Sequence, residues 1–462
     1  MLFNSLLFLF FFLIVTTGYY LLPHKFRWFW LLGASCYFYM YFKPEYILII
    51  FFTIIVDFVA GILIENAKGA YRKIYLLASI ITNVGVLAFY KYFNFFSQNI
   101  NFLSQFLHGP KVPLLDFILP IGLSFHTFQA MSYTIEVYRG KQKAERHLGL
   151  YALYVMFYPQ MVAGPIERPQ HILPQLRRVI SYNPKTFVAG LLLMAFGLFK
   201  KVVVADRLGL FVDPVFSNPR GHSAAELFVA SYFFAFQIYC DFSGYSDIAI
   251  GAALTLGIEL MRNFNMPYLS RNIAEFWQRW HISLSTWFKD YIYIPLGGNR
   301  VDFFRLCINF MIVFLVSGLW HGANWKYMIW GGIHGLLLVI YQLMKKMKLI
   351  IKGFTFFKWL LTFNLVCFAW VFFRADHVGD AFYIIEKITR VKEFSFRSIS
   401  AMPAGELRYC TGLIILLLAA DRYFQNVRFF SVPKIVMWTV SLVILCYFLG
   451  IFSEAQFIYF QF

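Results

Sequence analysis

Long apolar runs separated by short polar intervals dominate the chain. Residues 6–22, 46–64, 74–90, 187–204, 303–316, 357–373 and 435–451 are each long enough, or nearly so, to cross about 30 Å of hydrocarbon as a helix. Less clean runs lie at 26–42, 114–138, 148–163, 226–258, 324–342 and 410–420. At about 20 residues per crossing, these give roughly 11 to 13 membrane-embedded segments, some of them candidates for re-entrant ones. No internal repeat, low-complexity linker or soluble domain interrupts the pattern, so residues 1–462 read as a single all-α integral-membrane domain. The longest polar intervals, 207–225 and 375–408, read as surface loops or amphipathic helices.

Composition agrees with this class. The chain is 60% hydrophobic, 21% aromatic and only 14% charged, whereas a soluble chain carries about 25% charged residues. Met1-Leu2-Phe3-Asn4 lacks the basic region and small-residue cleavage site of a signal peptide, so the first run is expected to be a retained span. Basic residues fall in alternate loops: Lys25 and Arg27, then Lys68, Arg72 and Lys73, then Arg139, Lys141, Lys143 and Arg146. The positive-inside rule places those loops in the cytoplasm and the amino terminus outside. In a membrane protein with anionic lipid neighbours, the +18 net charge needs no nucleic-acid partner. The six cysteines are scattered without a CxxC pair, so neither a disulfide framework nor a metal site is expected.

Four polar clusters stand out, because an ionisable group at membrane depth costs about 2.5 kcal/mol or more. The first runs from Pro120 to Gln129 and on through Tyr133 and Glu136. As a helix it sets Ser124, Thr127 and Met131 on one face and His126 beside Gln129, Ala130 and Tyr133. It reads either as interhelical hydrogen bonding or as support for a site. The second, Tyr239-Cys240-Asp241-Phe242-Ser243-Gly244-Tyr245-Ser246-Asp247, reads as a glycine-broken stretch lining a cavity. Its bland alternative pairs Asp241 or Asp247 with a buried arginine.

The third cluster spans 262–300 and holds Trp277-Gln278-Arg279-Trp280-His281, Lys289, Asn299 and Arg300. Trp277, Trp280, Leu284 and Trp287 share one face of an amphipathic helix, as an interfacial anchor or as the wall of a vestibule for a donor's phosphates. The Gly297-Gly298 turn would allow close backbone approach. The fourth cluster is Ser317-Gly318-Leu319-Trp320-His321-Gly322-Ala323-Asn324, with glycines that let a helix or ligand approach His321, and with His334 in the next segment. A neutral imidazole can take a proton from a hydroxyl near pH 7, and a site within the membrane excludes competing water. His281 and His321 are therefore the leading catalytic candidates.

Ser-Gly-Leu-Trp-His-Gly around His321, preceded by Phe-Trp-Gln-Arg-Trp-His-Ile-Ser-Leu-Ser-Thr-Trp-Phe around His281, resembles the signature of membrane-bound O-acyltransferases. Gly164-Pro165-Ile166-Glu167-Arg168-Pro169 and the segments 263–272 and 290–300 are similar to the bacterial branch that O-acetylates alginate and peptidoglycan. The resemblance implies helices around a central tunnel and a catalytic histidine at His321, with His281 completing the pair. It also implies a bacterial cytoplasmic-membrane location, with cytoplasmic acetyl-CoA as donor substrate and no tightly bound cofactor. The final acceptor would be an extracytoplasmic polysaccharide, reached through an external serine-type acetyltransferase of the SGNH-like kind. Donor contacts are expected from Trp277, Arg279, Trp280, Lys289, Asn299, Arg300, Trp320 and Asn324, and support from His126, Asp241 and Asp247.

The tail 453–462 ends Phe457-Ile458-Tyr459-Phe460-Gln461-Phe462. It reads either as an interfacial aromatic anchor or, by its likeness to the terminal motif of the small partner in teichoic acid D-alanylation, as an acyl relay through Tyr459 on the outer side. Within the same chemistry the rival is a D-alanyl or other transferase fed by a carrier-protein thioester. From another class, a transporter or channel would also bury carboxylates and histidines, but it would be expected to show inverted repeats.

Overall fold

The computed structural model describes residues 1–116, 119–349, 353, 355–390, 394–424, 427, 430–452 and 457–458. Among the described residues the regular elements are helices. Seven are long and apolar enough to cross a membrane: Pro44–Asn66, Ala70–Leu107, Pro184–Ser217, Phe303–His321, Trp325–Lys346, Thr355–Arg374 and Val432–Leu449. Trp325–Lys346 arises from one of the less clean runs, where Lys326, Gly331, Gly332 and His334 dilute the apolar character. The others fall on the clean runs. Leu6–Leu21 is a shorter apolar helix, started by Ser5, whose side chain accepts from the Phe8 N–H. Large apolar side chains such as Phe10, Ile14, Ile81, Leu361 and Phe448 are exposed. Water would penalise that exposure at about 25 cal/mol per Å², and lipid would not. The chain is an all-α, multi-pass membrane protein.

Contacts gather the residues into two compact units, Met1–Met194 with Ser246–Met261, and Ala195–Tyr245 with Arg262–Phe462. In the first unit, Ile47–Asn66, Ala70–Leu87 and Leu123–Tyr138 pack together. Leu123–Tyr138 is buried almost all round, so its polar groups need partners inside the protein. They find them. Asp57 accepts from Ser79 Oγ at 2.6 Å and from Asn83 Nδ2 at 2.9 Å. Ser79 also reaches Thr134 at 3.0 Å, and His126 Nε2 lies 2.6 Å from Thr53 Oγ1. His126 thus sits in a polar seam joining three helices.

One expectation is corrected. Residues 239–247 are not a broken stretch: they lie inside the continuous helix Ala224–Thr255. A single helical glycine costs only about 1 kcal/mol. At Gly244 that cost is matched by packing, because a Cβ there would stand 2.7 Å from the Gly197 carbonyl. Close by, the long helix Pro184–Ser217 widens into a π-turn at Phe199–Ala205. It presents Lys200 and Lys201, both buried.

Candidate active site

The site is assembled within the second unit from two interrupted helices. Asn272 caps Ile273–Arg279 by accepting from Glu275 N–H at 2.9 Å, and Glu275 returns an acceptor to Arg271 N–H at 2.8 Å. Glu275 also pairs with Arg279 one turn on, at 2.6 Å. The single amphipathic helix expected through Trp287 does not continue. Asn265 N–H donates to the Arg279 carbonyl at 2.9 Å, and Ile282 N–H donates to the Asn263 carbonyl at 2.8 Å. These bonds take backbone groups that an unbroken helix would use. The chain turns through His281 in the left-handed region, φ +42°, and a new helix, Ile282–Phe288, begins. His281 is thereby turned into the protein, where it is fully buried.

The tautomer of His281 follows from its neighbours. Asn263 Oδ1 lies 3.1 Å from His281 Nδ1 and also accepts from Ser283 N–H at 3.3 Å and Ser283 Oγ at 2.9 Å. A backbone N–H can only donate, so the Asn263 atom is oxygen, and His281 Nδ1 must carry a proton. In the neutral ring, Nε2 then holds the lone pair.

His321 is the last residue of Phe303–His321 and is buried. A Cβ at Gly318 would stand 2.2 Å from the Tyr327 carbonyl, and one at Gly331 2.2 Å from the Phe314 carbonyl. The approach that the glycines around His321 permit is therefore that of the neighbouring helix Trp325–Lys346. Trp320 touches both histidines, with ring centroids 6.2 Å from His281 and 4.8 Å from His321. Trp330 meets His321 edge-on at 5.0 Å and His334 at 5.0 Å. His334 Nδ1 accepts from the Trp277 indole N–H at 3.3 Å.

A mostly apolar cavity of about 390 Å³ lies alongside, lined in part by Trp277, Gln278, Thr286, Lys289, Phe314 and Ser317. Ser317 is one helical turn before His321, so the cavity reaches the neighbourhood of the imidazole. Of the expected donor contacts, Trp277 and Lys289 line it. Trp280 is buried against Trp370 at 5.0 Å, and Arg279 is engaged by Glu275. Asn299 and Arg300 are exposed beyond the Gly297-Gly298 turn, where φ is +102° and +57°. Asn324 caps Trp325–Lys346 by accepting from Lys326 N–H at 3.0 Å.

The supporting residues separate. His126 and the partly exposed Asp247 belong to the first unit, and Asp241 to the second. Asp241 is paired with a buried lysine, Lys201, at 2.7 Å, not with an arginine. Tyr459 lies outside the described residues. Sequence reasoning passed over Lys201, although Lys200-Lys201 within an apolar run was its signal. It also passed over Asn263 as the group that sets the tautomer of His281, for which the sequence carries no signal.

A multi-pass helical protein that buries two histidines around one tryptophan, beside an apolar cavity, fits acyl transfer within the membrane. Residues 72–376 match the model of the membrane-bound O-acyltransferase family, and both histidines fall inside that match. The chain is 35% identical over 438 residues to a peptidoglycan O-acetyltransferase of Helicobacter pylori, covering 87% of this chain and 82% of the relative. It is 36% identical over 439 residues to a probable alginate O-acetylase of Pseudomonas aeruginosa, covering 92% and 82%. More distantly, it is 25% identical over 283 residues to a teichoic acid D-alanyltransferase of Bacillus subtilis, covering 58% and 70%. The chain belongs to the membrane-bound O-acyltransferase family and is an O-acyltransferase. The transporter reading falls away with that membership.

Proposed function

We propose that this enzyme moves acetyl groups from cytoplasmic acetyl-CoA towards O-acetylation of a cell-envelope polysaccharide outside the bacterial cytoplasmic membrane, a peptidoglycan or an alginate-like glycan. The observation that carries the reading is the buried pair His281 and His321 around Trp320, beside an apolar cavity that Ser317 helps to line. The relatives named for acetyl transfer, each above 30% identity, support acetyl as the group moved.

In this reading the thioester arm occupies the cavity, with Lys289 facing the donor's anionic end. His321 takes the proton of the attacking hydroxyl as the new oxygen–carbonyl carbon bond forms. The carbon–sulfur bond then breaks, and the proton passes to the departing coenzyme A thiolate. His281 is open to an orienting role or to oxyanion stabilisation. Its accepting Nε2 favours orientation, since donation to an oxyanion would need a second proton. The attacking hydroxyl is that of Tyr459, and acetyl-tyrosine then serves an external serine-type acetyltransferase. The amino terminus and the tail lie on the outer side in this arrangement.

The test is intact-protein and peptide mass spectrometry after incubation with acetyl-CoA, beside His321→Ala and Tyr459→Phe. Acetyl on Tyr459 that is lost in both variants supports the relay, with His321→Ala slowing transfer by about 10²- to 10⁴-fold. Coenzyme A release that needs added acceptor, with no protein-bound acetyl, would instead mean direct transfer. The 25% identical D-alanyltransferase gives a second reading, a carrier-protein thioester as donor. Activity with an aminoacylated carrier and none with acetyl-CoA would establish it.

A further inference from the structure

The helix Pro184–Ser217 opens into a π-turn at Phe199–Ala205, and such a widening frees backbone carbonyls that a regular helix would use. The Val202 carbonyl accepts from Ile451 N–H at 2.8 Å, which pins the chain just beyond Val432–Leu449 to this turn. Lys201, from the same turn, lies 2.7 Å from Asp241 Oδ1 and 2.8 Å from Asp206 Oδ1. The second oxygen of Asp241, Oδ2, accepts from the backbone N–H of Ile458 at 2.8 Å. The Phe457 ring is buried edge-on to Tyr245 at 5.0 Å, and the Lys201 ammonium lies 4.6 Å from its centroid. One π-turn therefore holds the tail at two places, residues 451 and 457–458.

We propose that Asp241, oriented by Lys201, is a positioning residue that seats the tail backbone at Phe457-Ile458 and so sets where the next residue, Tyr459, can reach. This deepens the relay reading and rests on it for its catalytic consequence, although the seat itself does not depend on the relay. A purely structural ion pair would be complete with Lys201 and one carboxylate. Here Lys201 has two carboxylates, and the surplus acceptor is spent on a main-chain N–H one residue before the tyrosine. Donors on both oxygens lower the cost of burying the Asp241 carboxylate. Gripping the backbone at Ile458 shortens the free tether of the residue that follows, and a restriction of that kind can be worth orders of magnitude in rate.

The test uses the full-length enzyme with its native cysteines replaced and Ile458→Cys as a reporter, which keeps the backbone N–H. Maleimide labelling of that cysteine is expected to speed up at least about tenfold in Asp241→Ala, as the tail leaves its seat. Asp241→Asn, which still offers an acceptor oxygen, should fall between the two and partly rescue. Acetylation of Tyr459 should lose kcat in the same order, with KM for acetyl-CoA unchanged, a split that general unfolding would not give. Equal labelling rates in all three proteins would overturn the seat. Should Asp241→Ala fail to fold, Asp241→Asn alone carries the test: faster labelling than in the protein with native Asp241 supports the seat, and an unchanged rate overturns it. A seat without acetyl on Tyr459 would remove the relay alone, and acetyl on Tyr459 with unchanged labelling would remove the seat alone.

Discussion

Asn263 Oδ1 accepts from the Ser283 N–H and stands 3.1 Å from His281 Nδ1, and this contact decides which nitrogen of a buried histidine carries the proton. Asn263→Ala would leave three donors facing an empty place, at a cost of about 1–3 kcal/mol for an unmet buried group, and would let the imidazole adopt either tautomer. Activity is expected to fall more than stability explains. Asn263→Asp should instead favour the imidazolium and raise the pKa of His281, moving the acid limb of the kcat/KM profile to higher pH. An unshifted limb in Asn263→Asp would remove Asn263 from any part in the chemistry.

Gly318 gives a second, sharply controlled prediction. A methyl group there would meet the Tyr327 carbonyl at 2.2 Å, while one at Gly332 meets nothing nearer than the Leu315 side chain at 3.8 Å. Gly318→Ala should separate the two helices at the turn that carries His321. A loss of about 1–3 kcal/mol is expected, the usual range for overpacking, together with a larger loss of transfer activity. Gly332→Ala should leave both near wild type and gain slightly in helix propensity. Thermal unfolding in detergent and coenzyme A release measure the pair, and equal behaviour of the two variants would contradict the packing argument.

These two sites also mark what the sequence could and could not convey. The spans were legible because apolar length is a one-dimensional property, and the burial of His321 was legible because it closes an apolar run between two glycines. The break at His281 was not. It depends on Asn263 and Asn265 taking backbone bonds from residues 279 and 282, a pairing across a gap in sequence that periodicity cannot register. Gly244 misled for the converse reason: it looked like a helix breaker, and its meaning lies in the Gly197 carbonyl of another helix. Asn324 is a similar case, a polar residue beside a catalytic candidate whose side chain is used as a cap.

Lys289 on the cavity wall tests the donor side. If it faces the anionic end of the donor, Lys289→Gln should raise KM for acetyl-CoA about tenfold, roughly the 1.4 kcal/mol of one modest charged contact, and leave kcat within about twofold. Raising the ionic strength should reproduce part of the effect in the wild type and none in the variant. A fall in kcat at constant KM would place Lys289 in the chemical step instead.

The last prediction concerns pH. His171 Nδ1 lies 2.6 Å from Glu167 Oε2, and the hydrogen bond to that carboxylate raises the imidazole pKa above its ordinary 6.5, with burial opposing. Glu167 is buried, and its other oxygen accepts from Met261 N–H at 2.5 Å, so the carboxylate ties two separate stretches of the first unit together. A histidine whose pKa is raised on folding stabilises fully below its unfolded value, and that contribution is lost as pH rises through the raised value. The imidazole is partly exposed, so the effect is small. The melting temperature in detergent should fall by about 1–3 °C between pH 6 and 9. His171→Gln keeps a donor without the charge and should flatten this part of the slope. Superimposable slopes for the two proteins would mean that the His171 contact is indifferent to its proton.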